Sequence, residues 1–159
     1  MYDYSSYKKK VLKIKINQHS RCLVEKYLPG REYSVGIFKD NISGFIEAMP
    51  IEIITKKNIN GHYILDFDTK KNDEEEVIPV FDIKVFQKLS VLAKKSFKAL
   101  KGKSFGRIDF KMDHLGNPYF IEANLMPGIR KGYFYRSCLL NLNINYKDMI
   151  LKITANGLN

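Results

Sequence analysis

Arg107, Asp109, Glu122 and Asn124 fall within GRIDFKMDHLGNPYFIEANLMPG, residues 106–128, a run that is otherwise apolar and strand-like. Arg107, Asp109 and Lys111 alternate with Ile108, Phe110 and Met112, so a strand here has one polar and one apolar face. Glu122 and Asn124 share a face of a second strand, with Ile121 and Ala123 on the opposite one. A four-residue loop, His114 to Asn117, pairs Asp109 with Glu122 and Arg107 with Asn124; a slip of one residue would send Glu122 to the other face. Opposed carboxylates on a strand pair repel. A hard divalent cation reverses that sign, because carboxylate and amide oxygens are the ligands magnesium takes. Asp109, Glu122 and Asn124, with Arg107 beside them, therefore read as an oxygen-only metal site suited to handling phosphate. The competing reading is a solvated face whose charges keep a sheet edge soluble.

Such a hairpin needs a sheet to join and a layer to pack on. CLVEKYL reads as a strand, Pro29-Gly30 as a turn and REYSVGIF as a second strand with period-two alternation. NISGFIEAMPIEII continues the meander after a turn at Lys39–Asn41, and the polar run TKKNING is a loop. HYILDFDTKKNDEEEVIPV then reads as a short strand followed by a long acidic loop. Val85, Phe86, Leu89, Leu92, Ala93, Phe97 and Leu100 form the apolar stripe of an amphipathic helix over Asp82–Leu100. Asp82 is its N-cap and Gly102 closes its far end. A last helix runs from Tyr146 to Ala155, with Met149, Ile150 and Ile153 on one side. Near the start, YKKKVLKIKI fits either a basic helix or an alternating strand. The expected fold is α+β, an antiparallel sheet of about five or six strands with packed helices.

The length of 159 residues is that of one domain or of a piece of a larger one. Cys22 and Cys138 lie far apart without metal-ligand spacing, which predicts free thiols and suits a reducing cytosol. No apolar run approaches the ~18 residues of a membrane span, and MYDYSSYKKK lacks the apolar core of a secretory signal. A cytoplasmic protein with no membrane partner is expected. The formal charge of +10 is spread along the chain, with short clusters at Lys8–Lys10 and Lys94–Lys95. There is no arginine-rich tract, zinc-ligand set or aromatic RNA-binding signature, so a basic nucleic-acid-binding domain is the remote reading. A lysine-rich surface that draws an anionic small molecule is the simpler one.

The full wording GRIDF…D..GNPYFIEANLMPG resembles the metal-binding hairpin of the ATP-grasp ligases, in particular their D-alanine–D-alanine ligase branch. There the strands run Gly-Arg-x-Asp and then Tyr-x-x-Glu-x-Asn-x-x-Pro-Gly. LVEKYLPGREYSVGIF looks like that family's adenosine-receiving strand–turn–strand, LDFDTKK like its YDYxxKY segment, and INYKDMILKITA is similar to its closing helix. The resemblance implies the C-terminal part of an ATP-grasp fold, with ATP and magnesium, or manganese, as cofactors. It implies phosphorylation of a carboxylate by ATP and attack of an amine on the acyl phosphate, with amino-acid or peptide-like substrates. Carried over by position, Glu25 and the backbone of Lys26, Tyr27 and Leu28 meet adenine, Glu32 holds the ribose hydroxyls and Lys70 reaches the phosphates. Asp109 and Glu122 bind one magnesium, and Glu122 and Asn124 a second. Arg107 stabilises the charge that develops on the phosphoryl group, and Gly128 presents its backbone N–H to the oxyanion.

The chain also departs from the pattern. The family's N-terminal substrate domain and its ATP-lid subdomain are missing, which implies a partner chain or a missing N-terminal half. PGIRKGYFYRS stands where the family has Pro-Gly-x-Thr-x-x-Ser, so Tyr133 takes the serine's place, with Arg130 and Lys131 before it as further substrate contacts. Lys71 stands where the family has a tyrosine near the substrate. The resemblance therefore implies ligation chemistry without specifying D-alanine, or else a module that binds nucleotide or metal without turnover.

Overall fold

The structure, a computed structural model, describes residues 3–18, 21–55 and 75–157. Five strands, β1 (Glu32–Lys39), β2 (Ile46–Ile54), β3 (Glu76–Pro79), β4 (Phe105–Met112) and β5 (Pro118–Asn124), form one sheet in the order β3-β2-β1-β4-β5. Every neighbouring pair is antiparallel. Helix α2 (Ile83–Ala99) lies across one face and buries Leu89, Ala93 and Phe97 completely against Tyr33, Val35, Ile37, Ile108, Phe110 and Met112. Helices α3 (Tyr133–Leu142) and α4 (Tyr146–Gly157) cover part of the opposite face, where Phe38, Met49, Phe134, Cys138 and Met149 make a second core. Strand β1 is consequently buried on both sides along its middle. The antiparallel sheet with packed helices is the architecture expected.

The amphipathic stripe and its cap behave as read. Asp82 Oδ1 accepts the backbone N–H groups of Lys84 (2.9 Å) and Val85 (3.2 Å), which satisfies donors that a helix start leaves unpaired. The far end differs. Lys101, not Gly102, takes the left-handed conformation (φ 56°). Gly102 is required for space instead, because a Cβ there would lie 2.3 Å from the Phe97 ring.

Three segments differ from expectation. Residues 21–29, expected to hold a strand at CLVEKYL, carry no strand. β2 and β4 occupy both sides of β1, so the segment cannot pair with the strand it leads into, and Leu23, Val24 and Tyr27 stay exposed. The end of the segment is tied down through Gly30 N–H to Met112 O and Met112 N–H to Arg31 O, each at 2.9 Å. The end of the expected acidic loop is strand β3, in which Val77 and Ile78 pair with Ile53 and Glu52; its Pro79 is tolerated because the strand is an edge. Helix α3 was not anticipated, although Phe134, Cys138 and Leu142 recur at helical spacing. The ambiguous basic segment is helix α1 (Tyr4–Gln18), started by Asp3, which accepts from the Ser6 backbone N–H at 2.8 Å. The expected strand within HYILDFDT, together with Lys70 and Lys71, lies outside the described residues.

Cys22 and Cys138 are free thiols, as expected. Burial pushes the Cys138 thiol up to about 12, which makes it a packing residue rather than a nucleophile. Among the described residues, no helix is long and apolar enough to cross a membrane.

The β4–β5 turn is closed by Asp113, which is 7% exposed. Its Oδ1 accepts the backbone N–H of Asn117 (2.8 Å) and of Leu115 (2.9 Å), and Gly116 supplies the positive φ of 79°. Asp113 N–H also donates to Asn117 O, so the loop is one residue shorter than the His114–Asn117 expectation. The extra residue reappears as an irregularity in the ladder after Asp109, where Phe110 faces Phe120 and Ile121 is left over.

Two outcomes follow for stability. Phe97→Ala should cost about 3–5 kcal/mol in denaturant unfolding, since it empties the centre of the α2 layer. The backbone N–H of Asn117, first among its donors, holds the Asp113 carboxyl below its ordinary 3.8. A depressed folded-state value gives stability that is complete above 3.8 and lost as pH falls through the lowered value. The stability gap between the parent and Asp113→Ala should therefore be widest near neutral pH and close in acid; a gap that stays constant down to pH ~2 would show that ionisation of this group is irrelevant.

Candidate functional site

The polar face of β4 points away from α2, on the part of the sheet that α3 leaves uncovered. Asp109 is paired with Glu122 and Arg107 with Asn124, the register expected, and the extra residue Ile121 falls just beyond this block. The two acids do not stand unscreened. Arg107 Nη2 donates to Asp109 Oδ2 at 2.8 Å and to Glu122 Oε1 at 3.0 Å, and Nε adds bonds to Asp109 Oδ1 (3.0 Å) and Oδ2 (3.1 Å). The repulsion anticipated between bare carboxylates is thus cancelled by a guanidinium whose fork matches them. The Arg107 and Asp109 side chains are 16% and 14% exposed, whereas Glu122 is 57% exposed. Asn124 Oδ1 accepts the Met126 backbone N–H at 3.2 Å, which turns the chain as it leaves β5.

Strand β1 completes the face with residues that sequence reasoning mostly missed. Ser34, opposite Asp109 in the register, donates its hydroxyl to Asp109 Oδ1 at 2.6 Å. Lys111 Nζ donates to Glu32 Oε2 at 2.7 Å, with both side chains largely buried. Gly36 follows in the same row, and a Cβ there would meet the Ser137 side chain at 2.8 Å, so its absence lets α3 sit against the sheet. The signal was available: Glu32, Ser34 and Gly36 are the polar or small positions of a strand whose other face is wholly apolar.

Close packing of α3 brings Tyr133 to the site. Arg107 Cζ lies 5.6 Å from the centre of the Tyr133 ring, and the phenol donates to Glu75 Oε1 at 3.0 Å. Burial, reinforced by the charge of Glu75, pushes the Tyr133 hydroxyl well above its ordinary value, so it acts here as a neutral donor. No sequence pattern pointed to Glu75.

The other expected residues lie around this centre. Glu25 and Lys26 are exposed and, with Tyr27 and Leu28, belong to the segment entering β1. Gly128, Arg130 and Lys131 are exposed on the connection from β5 to α3, and nothing crowds the space beside Gly128. A cavity of about 260 Å³ opens beside Glu32 and Lys111, lined also by Arg31, Glu52, Ile53 and Thr55. The donors near Arg107 are all oxygen, which suits magnesium and not zinc. Among the described residues no group of three or more His, Cys, Asp or Glu is placed to hold an ion.

Comparison with known proteins bears on the family and the fold. The family model described as "D-ala D-ala ligase C-terminus" matches residues 5–155. A D-alanine–D-alanine ligase from Aquifex aeolicus is 34% identical over 139 residues, which cover 85% of this chain and 43% of the relative. One from Rhizobium meliloti is 31% identical over 116 residues, 69% of this chain and 35% of the relative. The crystal structure of a D-alanine–D-alanine ligase from Bacillus anthracis complexed with ATP superposes with a TM-score of 0.72 at 21% identity, over 99% of this chain and 48% of that one. The chain thus spans less than half the length of these proteins. By its family match over nearly all its residues, it belongs to the D-alanine–D-alanine ligase C-terminal family of the ATP-grasp ligases.

Proposed function

We propose that this chain supplies the ATP- and metal-binding part of a carboxylate–amine ligase that releases ADP and works through an acyl phosphate. The observation that carries the reading is the bridge from Arg107 to Asp109 and Glu122 across the β4–β5 pair, with Asn124 in register beside it. Asp109 and Glu122 hold one magnesium (or manganese) ion, and Glu122 and Asn124 a second. Bound there, the metal draws charge from the phosphate oxygens and orients the transferring group. Arg107 supplies positive charge beside that group and stabilises the negative charge that grows on it. Glu32 accepts ribose hydroxyls, and its ion pair with Lys111 fixes the carboxylate in place. Glu25 and the backbone of Lys26, Tyr27 and Leu28 meet the adenine edge, Lys70 meets the phosphates, and the Gly128 N–H faces the oxyanion.

The substrates are an amino-acid or peptide-like carboxylate and an amine, contacted by Arg130, Lys131 and Tyr133. Since the relatives are about twice as long, the parts that close over the phosphates and hold the acceptor carboxylate are proposed to lie on further polypeptide, covalently joined or separate. A cytoplasmic setting, where ATP and reduced thiols coexist, fits the pair of free cysteines.

Magnesium should stabilise the domain, by about 2.7 kcal/mol at a hundred times its Kd. Thermal unfolding with and without magnesium reads this directly. Asp109→Asn should blunt the gain, and an unchanged magnesium response would remove Asp109 from the ligand set.

Residues 1–159 alone should bind ATP weakly and show no amino-acid-dependent ADP release. An open site keeps the local dielectric high and weakens each electrostatic contact. It also forfeits acceptor positioning, which accounts for ~7–11 kcal/mol of such barriers. Robust ADP production by the purified chain, with a panel of D- and L-amino acids and short peptides, would overturn the idea that further polypeptide is needed. Magnesium-dependent ATP binding that never leads to turnover, even on completion with that polypeptide, would favour a binding subunit instead.

A further inference from the structure

Ser34 is fully buried in the central strand, and its backbone is fixed between Ile51 of β2 and Asp109 of β4. A buried hydroxyl is unfavourable there unless bonded, and a β-branched apolar residue would suit the strand better. Its one proton goes to Asp109 Oδ1 at 2.6 Å, the length of a charge-assisted bond. Among the described residues, the other hydrogen bonds of Asp109 come from Arg107, at 2.8–3.1 Å. Arg107 is also committed to Glu122 and cannot share every carboxylate lone pair with an incoming divalent cation. When a cation takes the carboxylates, the bonds from Arg107 are the ones to give way, because two positive charges compete for the same oxygens. The bond from Ser34 comes from the far side of the ladder and survives the exchange.

We propose that Ser34 is a positioning residue: its hydroxyl keeps Asp109 in the metal-accepting orientation whether or not Arg107 holds it. The inference rests on the metal reading above and adds to it a residue that touches neither metal nor nucleotide. It makes the site two-handed. Arg107 neutralises the acids in the resting state, and Ser34 preserves their aim when that neutralisation is withdrawn.

The test is manganese binding to the whole chain, followed by the electron paramagnetic resonance of free Mn²⁺, for the parent, Ser34→Ala and Ser34→Thr. The alanine variant should bind Mn²⁺ about 10–100-fold more weakly, the usual cost of removing a partner of a ligating carboxylate. The threonine variant, which keeps the hydroxyl, should recover the parent affinity. Metal-free thermal unfolding should be little altered in Ser34→Ala, because Arg107 still holds Asp109. Parent-like affinity in Ser34→Ala, or equal weakening in both variants, would overturn the proposal, the latter by showing a packing effect. If the parent itself binds no Mn²⁺, the metal reading fails and this inference goes with it.

Discussion

One guanidinium set between two carboxylates governs the organisation of this domain. Arg107 reaches Asp109 two residues along its own strand and Glu122 across the ladder, so its bridge exists only in one register. That register is set by the turn that Asp113 closes and by the irregularity that absorbs Ile121. The pairing is not chiefly a source of stability. Glu122 is more than half exposed, and its share is screened as any surface pair is. The partly buried Arg107–Asp109 contact offsets the cost of taking two charges out of water with little to spare. What the arrangement secures is uniqueness: a one-residue slip would strand a cation and an acid on the apolar face against α2.

The two faces of the sheet are packed differently, and the bridge lies on the face that α2 does not cover. One face is sealed by α2 along the stripe from Leu89 to Phe97, which frees the other from having to supply the whole core. On the second face α3 and α4 cover Phe38 and Met49 but stop short of Asp109. Gly36 lets α3 come close, and the approach places Tyr133 at the border, with its ring under Arg107 and its hydroxyl on Glu75. Packing and chemistry thus meet at one helix start. The ring that ends the apolar core is also a wall of the site, and it fixes the guanidinium by stacking without competing for its donors.

Much of this was legible in the sequence, for identifiable reasons. The α2 stripe, its Asp82 cap and the polar face of β4 are periodic signals carried by consecutive residues, and local physics suffices to read them. Pairing Asp109 with Glu122 followed from alternation and loop length, even though the loop proved shorter and the surplus residue moved to position 121. The failures lie where a partner decides. CLVEKYL has the composition of a strand, but both sides of β1 are taken. EVIP reads as the tail of an acidic loop until the free edge of β2 pairs with it. Ser34 is distant in sequence from the hairpin it serves, as Glu75 is from Tyr133, and no spacing rule links a serine to an aspartate seventy-five positions on.

The charge count of the site bears on how a nucleotide would enter it. Arg107 and Lys111 face Asp109, Glu122 and Glu32, two positive charges against three negative, a net of −1. The net charge of this ion-paired cluster is thus opposite in sign to the +10 of the whole chain. A bare nucleotide triphosphate would meet carboxylates whose own cations are already committed. On the proposed function, a divalent cation held by these acids would change that balance by supplying the positive charge that the phosphates need. On the proposed function, metal bound to the acids therefore favours nucleotide binding, because it supplies positive charge that the triphosphate lacks there. The internal pairs with Arg107 and Lys111 keep the acids folded and aimed in the interval before either arrives.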